Sequence, residues 1–95
     1  MLIVRRLIWD PWNVDHIARH HVTPEEVEAV CHGTPVINLT YKGRLRIVGP
    51  TRSRKMLPVI LAPTNEQGVY YPVTARPADR KERRNYEQEQ GRSSL

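Results

Sequence analysis

The hydrophobic period of this chain changes at Thr34, and that change constrains the fold more than any other feature. From Thr34 onward, four short runs alternate between apolar and polar residues: TPVINLTY, RLRIVG, MLPVILA and VYYPVTAR. The links between them are rich in the residues that turns favour. Such alternation, interrupted by short turns, predicts an antiparallel meander of four strands. Pro58 and Pro72 lie inside two runs and indicate an edge position, a bulge or an early strand end there.

The first third of the chain predicts one strand and two short helices. Residues 2–9 are apolar and β-branched, which predicts a strand, and NVDHIARHHV then has apolar residues at helical spacing. In VTPEEVEAVCHG, Thr23 is an N-cap, Pro24 takes the first helical position and Glu26 completes a capping box. Gly33 is the expected end of this second helix.

The charged segment near the C-terminus predicts a surface helix from about Pro77 to Glu89, with Ala78 and Tyr86 as its main anchors. The order of elements predicts an α+β fold, a small antiparallel sheet with two short N-terminal helices and a C-terminal helix. One domain is expected over residues 1–90 and a flexible tail over 91–95. We expect the helices to cover one sheet face and the other face to be open and basic.

Charge and composition indicate a polyanionic partner. The net charge is +5, and residues 51–95 hold nine Lys or Arg against five Asp or Glu. This asymmetry favours nucleic acid or an acidic protein as the partner. The apolar runs are too short to span a membrane, and the N-terminus lacks the features of a signal peptide. A single cysteine, Cys31, excludes an internal disulfide framework, so we expect a cytoplasmic protein without a membrane partner.

Three motifs together resemble the BrnT family of bacterial toxins. They are WD at residues 9–10, ARHHVTPEEVEAV at 18–30 and VTARPADRKERRNYE at 73–87. The family's sequences look like "WD…KHGVSFEEA…" near the start and "IISARKATKRERRxYE" at the end. The motifs occur in the same order and at similar spacing over nearly the whole chain, and the C-terminal match is the more specific.

This resemblance implies a fold similar to RelE-type toxins and a role in a type II toxin–antitoxin system. BrnT proteins are ribonucleases that need no metal or other cofactor and halt translation until a cognate antitoxin binds them. The antitoxin is a DNA-binding protein, and a ribbon-helix-helix type is expected here. The implied partners are therefore RNA and this antitoxin, in a hetero-oligomer.

The resemblance also implies candidate catalytic residues. His20 matches the histidine of the KHGV motif, Arg76 the arginine of SAR, and Tyr86 the tyrosine after the basic run. The sequence departs from the pattern at several positions: His21 replaces glycine, His16 replaces an asparagine, and the usual lysine shortly after WD is missing.

Metal-free RNA cleavage needs a base, an acid and a cation for the phosphorane charge. Arginine suits the cation and histidine suits either proton role, so Arg76 and His20 are assigned these tasks, and Tyr86 stacks on a base or orients the phosphate. Further RNA contacts are expected from basic residues of the strands, the central loop and the last helix: Arg44, Arg46, Arg52, Arg54, Lys55, Arg83 and Arg84.

Alternative readings stay open at this stage. Tyr86 is also the only large anchor of its helix. Trp9 and Trp12 would suit stacking on nucleobases, but packing around the first helix is the safer interpretation. His16 and His20 are spaced for one helical face and would bind zinc only if Cys31 and His32 completed the site. A non-catalytic module that keeps the antitoxin surface, or an RNA-binding domain unrelated to toxins, would also explain the charge.

Overall fold

A computed structural model describes the backbone of residues 4–93 and the side chains of residues 4–40 and 42–90. The elements follow one another as β1 (Arg6–Leu7), α1 (Pro11–Ala18), α2 (Pro24–Cys31), β2 (Val36–Leu39), a 3-10 turn (Tyr41–Gly43), β3 (Leu45–Pro50), β4 (Met56–Pro63), β5 (Val69–Ala75) and α3 (Arg80–Ser93). Within residues 4–93, no helix is both long enough and apolar enough to cross a membrane.

The strands form one five-stranded sheet in the order β1-β5-β4-β3-β2. The predicted meander is confirmed, since β2 to β5 pair antiparallel with their neighbours. The β4–β5 pairing shifts register between Ile60 and Leu61, opposite Pro72, which has no N–H to donate to the ladder. This outcome matches the bulge that Pro72 indicated.

The N-terminal strand differs from its prediction in length and direction. Residues 2 and 3 of the predicted strand lie outside the described residues, and the remainder contains only Arg6–Leu7. This strand pairs parallel with β5, which makes the sheet mixed rather than purely antiparallel. The strand ends early because Asp10 begins α1 only three residues later.

One face of the sheet, here called the inner face, carries the core. It presents alternating apolar residues of β3 and β4, which are buried with Val27 and Val30 of α2 and with Ile17 of α1. The predicted capping box of α2 is confirmed: Thr23 Oγ1 accepts from the Glu26 backbone N–H at 3.2 Å, and Glu26 accepts from the Thr23 N–H at 3.0 Å. The helix ends at Cys31, two residues before Gly33.

The opposite face, here called the outer face, is not open as expected. Arg46, Ile60 and Thr74 are cross-strand neighbours on this face. The helix α3 lies against its β2–β3 side, because Glu82 contacts Arg46 and Tyr86 contacts Thr34. A polar groove of about 360 Å³ separates α3 from these strands. The prediction that all helices share one face was therefore wrong.

The last helix is longer than predicted. It begins at Arg80 and reaches Ser93, four residues beyond Glu89. Asp79 caps it, because its carboxylate accepts from the Glu82 backbone N–H at 2.8 Å while Glu82 accepts from the Asp79 N–H at 3.0 Å. The helix thus takes in residues 91–93 of the predicted tail, and residues 94–95 lie outside the described residues.

Candidate functional site

The helix α1 is fixed along the edge of β5 by a small polar cluster. Asn13 is fully buried, and its side-chain amide donates to the carbonyls of Ile8 (2.9 Å) and Pro72 (3.1 Å). The Asp10 carboxylate accepts from the Asn13 backbone N–H and, at 3.0 Å to each oxygen, from the Tyr71 hydroxyl. The Asn13 N–H and the Tyr71 hydroxyl lower the pKa of Asp10, while partial burial and Asp10 raise the pKa of Tyr71. The cluster holds α1 in one orientation on the sheet.

Three aromatic rings, two on α1 and one in the turn that follows it, contact one another in series, and we call them the ring row: Trp12, His16 and His20. The Trp12 and His16 rings are stacked, with centroids 5.0 Å apart and planes within 6°. The His20 ring meets His16 edge-on at 5.7 Å. His16 also shares a hydrogen bond of 3.2 Å with the Thr74 hydroxyl on the outer face. The motif resemblance implied a role for His20, but His16 is the ring that is hydrogen-bonded to the sheet.

The ring row points toward the end of β5 at which Arg76 lies. Asn13 contacts Pro72 and His16 contacts Thr74, so α1 and β5 run in the same direction. His20 lies in the turn that follows α1, with its ring against His16, and Arg76 directly follows β5. His20 and Arg76 therefore lie at the same end of the α1–β5 pair, although no hydrogen bond joins their side chains in the part of the chain that is described.

Arg76 is held by the carboxylate of Glu82, which was not among the predicted site residues. Glu82 accepts two hydrogen bonds from the Arg76 guanidinium, at 2.8 and 2.9 Å, and one from Arg46 at 2.7 Å. Its side chain is only 12% exposed, while 48% of the Arg76 side chain remains exposed. The Arg76 hydrogen bonds, with those of Asp79 and Arg46, lower the pKa of Glu82 to about 2. We call these three residues, Arg46, Arg76 and Glu82, the arginine clasp.

Tyr86 lies away from the ring row. Its hydroxyl donates to the Thr34 carbonyl at 2.7 Å, and Gln90 donates to the same carbonyl at 3.2 Å. Thr34 precedes β2, which is at the opposite edge of the sheet from α1. The structure thus brings His20 and Arg76 to one end of the same edge and places Tyr86 where it anchors α3.

The remaining predicted RNA-binding residues are dispersed. Arg44 directly precedes β3, is exposed, and lines a groove with Ile60 of the outer face. Arg83 donates to the Ala78 carbonyl at 3.0 Å, and the neighbouring Arg84 is exposed on α3.

The basic loop between β3 and β4 faces α2 rather than the outer face. Arg52 lines a pocket with residues of α2, and Arg54 is exposed with φ of +69°. Lys55 donates to the His21 carbonyl at 2.7 Å and pairs with Glu26 at 3.6 Å. The lysine therefore ties this loop to the start of α2.

The zinc alternative has no support in the geometry. Among residues 4–93, no group of three or more His, Cys, Asp or Glu side chains lies close enough together to hold a metal ion. Cys31 is buried, and burial raises the pKa of its thiol to about 12. His32 instead contacts Glu28 at 3.1 Å.

Comparison with known proteins identifies the fold. The sequence matches no protein-family profile and no curated protein. The structure is similar to the 1.1 Å crystal structure of the ribonuclease toxin BrnT from Brucella abortus. The similarity covers 79% of this chain and 97% of that chain, with a TM-score of 0.63 and 22% sequence identity. This chain therefore has a BrnT-like α+β fold, as the resemblance of its motifs implied.

Proposed function

We propose that this chain is a divergent BrnT-type toxin, a ribonuclease that cleaves mRNA without a metal ion and so inhibits translation. The observation that carries the proposal is the placement of His16 and His20 beside the strand end that holds Arg76. This placement occurs in a fold shared with a ribonuclease toxin. Proton-transfer groups and a phosphate-binding cation thus lie at one edge of the sheet.

The chemistry assigns a task to each side chain. The RNA 2′-hydroxyl oxygen attacks the adjacent phosphorus and the bond to the 5′-oxygen breaks, which leaves a 2′,3′-cyclic phosphate and a 5′-hydroxyl. One of His16 and His20 takes the proton of the 2′-hydroxyl and the other protonates the leaving oxygen, since an imidazole ring can both accept and donate a proton. Arg76 binds the two non-bridging phosphate oxygens, whose charge grows in the transition state.

Arg76 reaches a phosphate only if it shares or exchanges its bond to Glu82. Nearly half of its side chain is exposed, so a ligand can approach the guanidinium from solvent. Arg46 stays paired with Glu82 at 2.7 Å and neutralises the carboxylate when Arg76 turns toward RNA. The arginine clasp thus sets how readily the cation is released.

The same clasp supports a second candidate function, a non-catalytic module that keeps the antitoxin surface. In that function, both arginines fasten α3 to the outer face and have no role toward RNA. The two functions predict different effects of an Arg76 substitution on RNA cleavage: loss in the first, and no cleavage to lose in the second. Arg76 is therefore the residue to change first.

The proposed partners follow from the toxin assignment. A cognate DNA-binding antitoxin, expected to be of the ribbon-helix-helix type, binds the toxin in a hetero-oligomer, and RNA is the substrate. The net charge of +5 suits both an acidic antitoxin segment and RNA. We place the protein in the cytoplasm, where both partners occur.

Induced expression in a bacterial host tests the proposal. Wild-type protein is expected to arrest growth and degrade RNA, and Arg76→Ala is expected to relieve both, because loss of one transition-state donor costs about 100- to 1,000-fold in rate. Arg6→Ala is the matched control, since Arg6 is an exposed, ion-paired arginine at the other end of β5.

Purified protein separates cleavage from other causes of arrest. Wild-type protein in excess chelator should give fragments with 2′,3′-cyclic phosphate ends, and Arg76→Lys should be strongly impaired because lysine lacks the planar fork. Folded wild-type protein that leaves RNA intact would favour the non-catalytic module. Equal cleavage by Arg76→Ala would remove Arg76 from the site.

A further inference from the structure

We propose that the free face of Trp12 is a stacking platform for an unpaired base of single-stranded RNA. The inference rests on the proposed function, because it names the substrate class of the same site: RNA in which a base next to the cleaved linkage is free of a duplex. Trp12 would contact this base while Arg76 contacts the phosphate backbone.

Exposure distinguishes Trp12 from the other tryptophan. Trp9 packs partly against the core, and its ring N–H donates to Glu28 at 3.0 Å. Trp12 is 58% exposed although His16 covers one of its faces. More than half of the Trp12 residue surface thus remains accessible to a ligand.

The helix that carries Trp12 is fixed to the sheet without a ligand. Asn13, next to Trp12 in the helix, is fixed to β5 through the Pro72 carbonyl, and Asp10 is fixed by Tyr71. The His16 ring stacks on one face of the Trp12 indole and is itself hydrogen-bonded to Thr74. A preorganised aromatic ring loses little conformational entropy when a base stacks on it.

The position of Trp12 fits a strand that passes the proposed cleavage site. The ring row runs from Trp12 to His20 through successive ring contacts of 5.0 and 5.7 Å, toward the end of β5 where Arg76 lies. A single strand that follows this row meets an aromatic face first, then two imidazoles, then a guanidinium. Duplex RNA keeps its bases stacked inside and cannot use such a face.

Binding of a non-cleavable RNA measures the contribution of the ring. A single-stranded 2′-O-methyl octanucleotide carries the same charge as RNA but lacks the attacking hydroxyl. Trp12→Ala is expected to weaken its binding about 5- to 100-fold, and Trp12→Phe to retain most of the affinity. Leu39→Ala is the matched control, because Leu39 is a large apolar side chain, 76% exposed, on the far edge strand.

The salt dependence separates stacking from charge. Trp12→Ala should leave the slope of log Kd against log salt unchanged, whereas Arg76→Ala should reduce it by about one. In a Trp9→Phe background, Trp12 fluorescence should be quenched by the octanucleotide and not by an abasic oligomer of equal length.

The outcomes distinguish this inference from the function on which it rests. If wild-type protein cleaves RNA and Trp12→Ala binds the octanucleotide as tightly, the platform is refuted while the ribonuclease stands. If wild-type protein neither binds nor cleaves RNA, both are refuted. If Trp12→Ala binds RNA normally but loses the antitoxin, the ring belongs to a protein interface and the platform is refuted.

Discussion

Replacement of Glu82 by glutamine tests whether the arginine clasp is an ionic interaction that stabilises the fold. The carboxylate accepts three hydrogen bonds from Arg46 and Arg76, and its pKa is about 2. Glutamine preserves the third position of the capping box with Asp79, so Glu82→Gln removes the charge and keeps the helix start.

The magnitude follows from linkage between protonation and folding. A carboxyl group with a folded pKa near 2 and an ordinary value of 4.5 contributes about 3 kcal/mol above pH 4.5. Because nearly half of the Arg76 side chain is exposed and screened by water, we expect about 2 kcal/mol. This contribution is fully present above the unfolded pKa and is lost as the pH falls from 4.5 to about 2.

Urea unfolding at pH 7 and pH 3, followed by circular dichroism, measures the effect. The difference between wild type and Glu82→Gln should be about 2 kcal/mol at pH 7 and below about 1 kcal/mol at pH 3. Glu87→Gln, an exposed change on the same helix, should stay within about 0.5 kcal/mol at both values. A difference between wild type and Glu82→Gln that does not change with pH would refute the ionic explanation.

Two further substitutions test the placement of α1 and α3. Asn13→Ala should cost about 3 kcal/mol in urea unfolding, because it leaves the Ile8 and Pro72 carbonyls without their buried donor; a loss below 1 kcal/mol would contradict this. Tyr86→Phe should cost about 1 kcal/mol through its lost bond to the Thr34 carbonyl and leave RNA cleavage intact. Loss of cleavage by a stably folded Tyr86→Phe protein would restore its predicted catalytic role.

Local signals in the sequence predicted the elements well. The capping residues Thr23 and Glu26 lie three positions apart, so their bonds depend only on helical geometry and were visible in the sequence. The alternating runs likewise predicted four strands, since a half-buried strand requires that pattern. The length of the first strand was overestimated because it depends on a contact with a distant turn. There the backbone N–H groups of Arg5 and Arg6 donate to the Gly68 carbonyl.

The site was harder to predict because its contacts join distant segments. The conspicuous charge of α3 indicated a solvated helix, and no periodic signal showed that Glu82 would reach Arg46, 36 residues earlier. A clue was available: Glu82 follows Asp79 at capping-box spacing, which fixes its side chain at the helix start near the Arg76 strand end. Nothing in the sequence predicted that Asn13 would be buried. Its burial makes sense only in the folded chain, where its amide donates to the Pro72 carbonyl, 59 residues away.

The structure shows what occupies three places at which the sequence departs from the BrnT pattern. His21 stands where the pattern has glycine and retains the conformation glycine allows, with φ of +62°. His16 replaces an asparagine, and Trp12 lies where the pattern has a lysine nearby; these two side chains stack on each other. Compared with that pattern, the start of α1 has no lysine and carries two stacked aromatic rings. This difference supports the proposed base-stacking role of Trp12, since aromatic rings stack on bases whereas lysine binds phosphates.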